Sequence, residues 1–113
     1  MRHINSLKNY QEFKRVYDAR NSYANRYLVM YQLPNGTEEK RLGISVSKKV
    51  GNSVVRHRVT RLIRESYRLH EDLFRTGVDV IIVARIAARD QGYREIESAM
   101  LHLLKLHGNT ESK

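Results

Sequence analysis

The chain has 113 residues, of which 21 are Lys or Arg and 12 are Asp or Glu, so its formal net charge is +9. This length and a hydrophobic content of 41% suit one packed domain. The sequence contains no cysteine, which excludes disulfide scaffolds, thiolate metal sites and cysteine nucleophiles.

The first predicted element is a helix over about 9–19. Asn9 and Glu12 have the spacing of a capping box, in which Asn9 accepts a backbone N–H and Glu12 reaches back to the helix start. Apolar side chains follow at helical spacing, at Tyr10, Phe13, Val16 and Tyr17.

Two strands follow, over 26–33 and 41–47, and the sequence also allows a short strand near 21–25. The turn signal Pro34-Asn35-Gly36 favours pairing of the two longer strands as an antiparallel hairpin.

The second of these strands alternates in character, which predicts one covered face and one open face. The covered face carries Leu42, Ile44 and Val46, and the open face carries Gly43, Ser45 and Ser47. Small residues on the open face would let a nucleic-acid strand approach and would let the serines donate to phosphate. Ordinary solvent exposure is the alternative.

The second half of the chain predicts a long helix, a strand and a final helix. Gly51-Asn52-Ser53 supplies a turn and an N-cap for a helix over 53–74. Residues 78–84 are a short apolar run, typical of a central strand, and residues 92–107 are helical with Gly108 as the stop.

The order of elements, α-β-β-(β)-α-β-α, predicts an α+β fold with a single mixed-sheet domain. We expect this domain to span 1–113, with its core in about 6–107 and a frayed tail over 108–113. No apolar stretch approaches a membrane span, and the first residues lack the apolar core of a signal peptide, so we expect a cytoplasmic protein without a membrane partner.

Positive charge is concentrated in residues 48–68, which hold seven basic side chains and one acidic side chain. Such a block is typical of a surface that binds a polyanion, with nucleic acid as the first candidate and an anionic membrane as the second. A solvated face without a partner is the alternative.

Four cationic or titratable side chains of the long helix fall on one ridge, at spacings of four, three and four residues. We call this set the basic ridge: His57, Arg61, Arg64 and Arg68. Like charges at this spacing destabilise a helix by about 0.2–0.5 kcal/mol per pair. An anionic partner that relieves the repulsion is therefore the best explanation for this row of charges. Lys48 and Lys49 precede the helix, and its exposed N-terminal N–H groups would favour a phosphate.

The segment from Ser45 to Glu65, SVSKKVGNSVVRHRVTRLIRE, resembles the protein component of bacterial ribonuclease P. That family carries a Ser-Val-Ser-Lys-Lys strand end, a Gly-Asn turn and a helix ending in Leu-Ile-Arg-Glu. The resemblance extends over about 6–107, through the aromatic pair Phe13 and Tyr17 and the last strand before Arg85.

The resemblance implies a small basic protein that partners a catalytic RNA in a 1:1 ribonucleoprotein and binds precursor tRNA. In that family the RNA, with Mg²⁺ that it mainly holds itself, cleaves the phosphodiester bond that frees the 5′ end of tRNA. The long helix would lie in a left-handed crossover connection.

The resemblance also assigns residues to two surfaces. The basic motif would contact catalytic RNA or substrate phosphates through Lys48, Lys49, Asn52, Arg56, His57, Arg58, Arg61 and Arg64, and the ridge adds Arg68. A cleft between the first helix and the sheet would grip the single-stranded 5′ leader through Phe13, Tyr17 and Tyr31, next to Ser45 and Ser47. For the three aromatic residues, core packing is the alternative.

Three positions depart from the family pattern. His57 stands where the family usually has Asn, Thr60 where Lys is frequent, and Arg20 where many members have Gly. These departures affect individual contacts and leave the rest of the family pattern intact.

No catalytic or metal-binding constellation is visible in the sequence. The histidines lack the spacing of a zinc protease, and the carboxylates Asp72, Asp79 and Asp90 are scattered. The alternatives to a ribonucleoprotein subunit are a ribosomal protein or general RNA chaperone, a stand-alone nuclease, and a membrane-surface helix.

Overall fold

The computed structural model describes residues 4–108. In chain order its elements are β1 (Asn5–Ser6), α1 (Tyr10–Ala19), β2 (Ser22–Ala24), β3 (Leu28–Pro34), β4 (Arg41–Ser45), α2 (Ser53–Leu69), a 3₁₀ turn (Glu71–Leu73), β5 (Val78–Ala84), a second 3₁₀ turn (Ile86–Asp90) and α3 (Tyr93–Leu106). The predicted helix at 9–19, the short strand near 21–25, the strand at 78–84 and the last helix are confirmed. The predicted tail lies outside the described residues from position 109 onward.

The strands form one mixed sheet in the order β1-β4-β5-β3-β2. β5 is central, because it runs antiparallel to β3 and parallel to β4. Six of its seven residues are buried, as expected of a strand with a neighbour on each side and helices on both faces. The α+β fold class is confirmed.

The predicted hairpin between β3 and β4 is wrong. β5 lies between the two strands, and the loop that joins them crosses the beginning of β5 instead of making a tight turn. There the Asn35 N–H donates to the Gly77 carbonyl at 2.8 Å, and the Gly77 N–H donates to the Glu39 carbonyl at 3.1 Å. The chain turns after β3 as predicted, but each of the two strands pairs with the apolar strand β5 and not with the other.

Helices α2 and α3 cover one face of the sheet. Val59, Ile63 and Tyr67 of α2 are buried in the same cluster as Ile96 and Met100 of α3. β4 and β5 are adjacent parallel strands joined through α2, so the crossover connection is confirmed. Its left-handed sense stays a prediction of the family resemblance.

Helix α2 is shorter than predicted, because it ends at Leu69 and not at residue 74. The 3₁₀ turn that follows redirects the chain, so that Phe74 returns to the core with its ring centroid 4.7 Å from that of Tyr67. Phe74 therefore packs in the core as an apolar residue of the predicted helix would, but it does so from beyond the end of α2.

Helix α1 covers part of the opposite face of the sheet. Asn9 caps it, with its Oδ1 accepting the Glu12 N–H at 2.9 Å, and Glu12 accepts the Lys8 N–H at 2.6 Å. This bond from Lys8 is the main cause that holds the pKa of Glu12 below its usual value. Val16 is fully buried, whereas Tyr10 is 75% exposed and lies outside the contact with the sheet.

The predicted open face of β4 is closed at Gly43, which is buried under α1. A Cβ at this position would lie 2.7 Å from two ring atoms of Phe13 and 3.0 Å from Leu7 Cδ1. The face is half-open at Ser45 and open at Ser47, beyond the helix. Gly43 therefore brings α1 close to the sheet.

We expect a Gly43→Ala variant to lose about 1–3 kcal/mol of unfolding free energy, because the added methyl overpacks the contact with Phe13. Thermal unfolding followed by circular dichroism measures this loss. Ser47→Ala, on the same face beyond the end of β4, is the control and should change stability by less than about 0.5 kcal/mol because Ser47 is exposed. Equal melting temperatures for the two variants would contradict the close contact.

Candidate nucleic-acid interface

The N-terminus of α2 is built by a side-chain cap and a close backbone approach. Asn52 Oδ1 accepts the Val55 N–H at 3.0 Å, which confirms the predicted cap. A Cβ at Gly51 would lie 2.7 Å from Val55 Cγ1, so only glycine lets the chain enter the helix at this angle. The cap uses the side-chain oxygen of Asn52, so the side-chain NH₂ group takes no part in it.

The basic ridge lies on the side of α2 that faces away from the core. All four of its members are exposed, and so are Lys48 and Lys49 just before the helix. Val59 and Ile63 on the opposite side are buried. The amphipathic pattern predicted from the sequence is therefore observed.

Some cations near the ridge have partners within the protein. Arg68 Nη2 pairs with Glu65 Oε2 at 2.6 Å, and this hydrogen bond raises the pKa of Arg68. Arg58 donates to the backbone carbonyls of Arg89 and Gln91, at 3.2 and 2.5 Å. Its carbonyl partners are neutral, so Arg58 keeps an uncompensated positive charge.

Arg56 donates from Nε to the Gly51 carbonyl at 3.1 Å, which ties it to the helix start. Thr60, one of the three departures from the family pattern, donates its hydroxyl to the Arg56 carbonyl at 2.8 Å and so turns toward its own helix. Within residues 4–108, Arg61 and Arg64 have no carboxylate at ion-pair distance and His57 has no hydrogen-bond partner. These three side chains form the unpaired part of the ridge.

The aromatic residues predicted for the cleft come together between α1 and the sheet. The ring centroids of Phe13 and Tyr17 lie 6.3 Å apart, and Tyr17 meets Tyr31 of β3 edge to face at 4.9 Å. All three side chains are half-buried and pack against the small core of Leu7, Val16 and Ile81. They thus serve the packing of α1 and also keep part of their ring surface exposed.

Burial raises the pKa of the Tyr17 hydroxyl, and a hydrogen bond with Ser45 partly offsets that rise. The phenol is therefore neutral at physiological pH. It presents a hydrogen-bonding group and a ring without negative charge, which is compatible with an approaching polyanion.

The strand register shows which residues lie beside the aromatic rings. Ser45, Val83 and Val29 are aligned across β4, β5 and β3, one row beyond Gly43, Ile81 and Tyr31. We call this row and the three aromatic residues the aromatic cleft. Val29 and Val83 were missed from the sequence, because only the unpredicted pairing of β5 with both neighbours places them here.

A cluster of charged residues lies at the other side of α1. The Asp79 side chain is 0% exposed and accepts hydrogen bonds from Arg41 at 2.8 and 2.9 Å, from Arg15 at 3.0 Å and from Asn35 at 2.8 Å. The bond to Asp79 is the main cause that raises the pKa of Arg41. In the sequence, Asp79 was only one of several carboxylates far apart along the chain, and nothing indicated these partners.

The turn after α1 contains Arg20, another of the three departures from the family pattern. Arg20 adopts a left-handed conformation, with φ of 58°, and its N–H donates to the Tyr17 carbonyl at 3.1 Å. The backbone keeps the shape that favours glycine, at a cost of about 1 kcal/mol for a residue with a side chain. The turn is therefore preserved despite the change of residue.

Residues 4–108 contain no group of three or more His, Asp or Glu side chains placed to hold a metal ion. No helix in this part of the chain is long and apolar enough to cross a bilayer.

Comparison with known proteins identifies relatives of this chain. The family model described as Ribonuclease P matches residues 1–107. The ribonuclease P protein component of Lachnoclostridium phytofermentans is 59% identical over 102 residues, covering 90% of this chain and 88% of that protein. The one from Alkaliphilus oremlandii is 51% identical over 105 residues, covering 93% and 92%.

Solved structures agree with the sequence relatives. The RNase P protein of Staphylococcus aureus superposes with a TM-score of 0.86 at 35% identity, covering 96% of this chain and 100% of that one. The RNase P protein of Thermotoga maritima gives a TM-score of 0.81 at 26% identity, covering 93% and 97%.

Proposed function

Since this chain belongs to the ribonuclease P protein family and is a subunit of the endoribonuclease that processes tRNA, we propose that it binds the catalytic RNA with α2 and the 5′ leader of precursor tRNA in the aromatic cleft. The two surfaces would act together, because binding the leader brings the substrate to an RNA that the same protein already holds. The RNA would then cleave the phosphodiester bond.

The observation that carries the RNA-binding half of the proposal is the unpaired part of the ridge. Arg61 and Arg64 point away from the core without a carboxylate partner in residues 4–108, and His57 lies on the same side. Guanidinium groups bind phosphate oxygens through two parallel hydrogen bonds, so exposed and unpaired arginines suit an RNA backbone. Lys48, Lys49, Asn52, Arg56 and Arg58 would extend this contact around the start of α2, and Arg68 would have to exchange Glu65 for phosphate.

The aromatic cleft suits single-stranded RNA for a different reason. Exposed ring surface on Phe13, Tyr17 and Tyr31 offers stacking to any base, which makes binding tolerant of leader sequence. The half-exposed Ser45 and the exposed Ser47 would donate to leader phosphates along the edge of β4. The partial burial of the rings restricts their motion and so reduces the entropy lost on stacking.

The ribonuclease P holoenzyme uses metal ions. We propose that these ions are Mg²⁺ and that the RNA binds most of them. The protein would act as a monomer in a 1:1 complex in the cytoplasm. Its contribution to catalysis would be binding and orientation of the substrate, which lowers the entropy cost of reaching the reactive geometry.

Reconstitution with the cognate catalytic RNA at low Mg²⁺ tests this function. We expect the protein to tighten binding of precursor tRNA much more than binding of mature tRNA, because only the precursor has a leader. Tyr17→Leu should reduce this leader preference about 5- to 30-fold, as expected from the loss of one stacked base at about 1–2 kcal/mol.

Binding of the catalytic RNA itself is the control, since Tyr17 lies outside the ridge and its loss should leave that affinity unchanged. An equal effect of the wild-type protein on precursor and mature tRNA would contradict the leader-binding proposal and favour a general RNA chaperone. Cleavage of precursor tRNA by the protein without RNA would instead establish a stand-alone nuclease.

A further inference from the structure

The position of the aromatic residues of α1 depends on contacts that the helix makes on its opposite side. At 100° per residue, Arg15 is 200° from both Phe13 and Tyr17, so it leaves the helix on the side opposite to the cleft. There its Nη2 donates to the buried Asp79 Oδ2 at 3.0 Å. Helix α1 is therefore held by ring contacts on one side and by two ion pairs on the other, the second being a longer one between Glu12 Oε2 and Arg41 Nη1 at 3.5 Å.

Asp79 is fixed in place without Arg15. Arg41 makes two hydrogen bonds to its carboxylate, and Asn35 makes one more from the loop that crosses the beginning of β5. Asp79, Arg41 and Asn35 belong to the sheet and its loop, so they form a rigid anchor. Arg15 joins α1 directly to the Asp79 carboxylate, whereas Glu12 reaches the anchor only through its longer contact with Arg41.

Helix α1 also has a pivot on the sheet. Phe13 rests on Gly43, where the absence of a side chain allows contact of the ring with the strand backbone. Val16 is the one buried side chain among the ten residues of α1, so the contacts on the two sides of the helix decide its roll, that is, its rotation about its own axis. Roll would move the rings of Phe13 and Tyr17 together relative to Ser45 and Val83, and would change the width of the cleft.

Resting on the leader-binding function proposed above, we propose that Arg15 is a positioning residue that fixes the roll of α1 and thereby the shape of the aromatic cleft. It touches neither the cleft nor the basic ridge. Its removal leaves the buried Asp79 carboxylate paired with Arg41, so the variant keeps its fold and changes only the placement of α1.

Arg15→Met tests this inference in the reconstituted holoenzyme, because it removes the ion pair and keeps a long side chain. We expect the preference for precursor over mature tRNA to fall about 5-fold, a fraction of the stacking contribution of the cleft. Affinity for the catalytic RNA and the far-ultraviolet circular dichroism should match the wild type.

Lys14→Met is the matched control. Lys14 is the neighbouring residue of α1, is 53% exposed against 49% for Arg15, and pairs with Asp18 of its own helix at 2.6 Å. Lys14→Met removes one positive charge, as Arg15→Met does, but breaks no contact between α1 and the sheet. The leader preference should therefore remain at the wild-type value. An equal loss in both variants would overturn the positioning role and assign the effect to charge alone.

Combining Arg15→Met with Tyr17→Leu separates positioning from a merely structural role. Because Arg15 acts through the rings, its effect on leader preference should largely disappear when Tyr17 has already been replaced. Full leader preference in Arg15→Met, with a wild-type protein that does discriminate, would overturn this inference and leave the leader-binding function standing. A wild-type protein without leader preference would overturn both.

Discussion

Replacing Arg61 and Arg64 together with alanine is expected to weaken binding of the catalytic RNA about 100-fold at low salt, with each arginine contributing about 1.4 kcal/mol through charged hydrogen bonds to phosphate. Both side chains are exposed, and neither has a carboxylate partner in residues 4–108. No internal ion pair must therefore break before they bind RNA, and the full attraction contributes to the complex.

The salt dependence of binding identifies the cause of this loss. Each neutralised phosphate contributes about 0.7–0.9 to the slope of log affinity against log salt, so the double variant should have a slope shallower by about 1.4–1.8. Arg94→Ala with Lys105→Ala removes the same two charges from α3 and should change the slope far less. An unchanged slope in the Arg61 and Arg64 variant would show that the ridge does not contact the RNA backbone.

Arg41→Leu is expected to lower the free energy of unfolding by about 3 kcal/mol, because it breaks a buried ion pair and leaves the Asp79 carboxylate with fewer donors. Arg41 is 20% exposed and Asp79 0% exposed, so solvent screens their attraction only weakly. For a domain of this size the melting temperature should fall by roughly 12 °C.

A double variant distinguishes the loss of pairing from the loss of packing. With Asp79→Leu added to Arg41→Leu, no unpaired charge is buried, and at least half of the lost stability should return. Arg15 would then turn its half-exposed guanidinium to water. Equal melting temperatures for the Arg41→Leu and wild-type proteins would contradict the structural importance of this pair.

The local elements of this fold were predictable because their causes are local. The caps at Asn9 and Asn52 depend on residues a few positions apart, and both are observed. The ridge was predictable for the same reason, since helical spacing alone places Arg61 and Arg64 on one side. The unpaired state of these arginines required the structure, because pairing depends on which carboxylates come near.

Strand pairing was not predictable from the same information. A turn signal between β3 and β4 indicates that the chain bends there, and it does not indicate which strand lies alongside. The contacts of Gly43 and Asp79 follow from that pairing and from the position of α1, so both residues were misjudged. An aspartate within an apolar run is a usable signal, because a carboxylate on a central strand requires buried donors from other elements.

Insertion of β5 between β3 and β4 also governs when the protein can fold during its own synthesis. The two earlier strands have no direct pairing, so the sheet stays incomplete until residues 78–84 have left the ribosome. Contacts between segments so distant along the chain slow folding compared with helical proteins of the same length. A nascent chain stopped before β5 would display a charged helix without a native core, and assembly with RNA would have to wait until β5 has emerged from the ribosome.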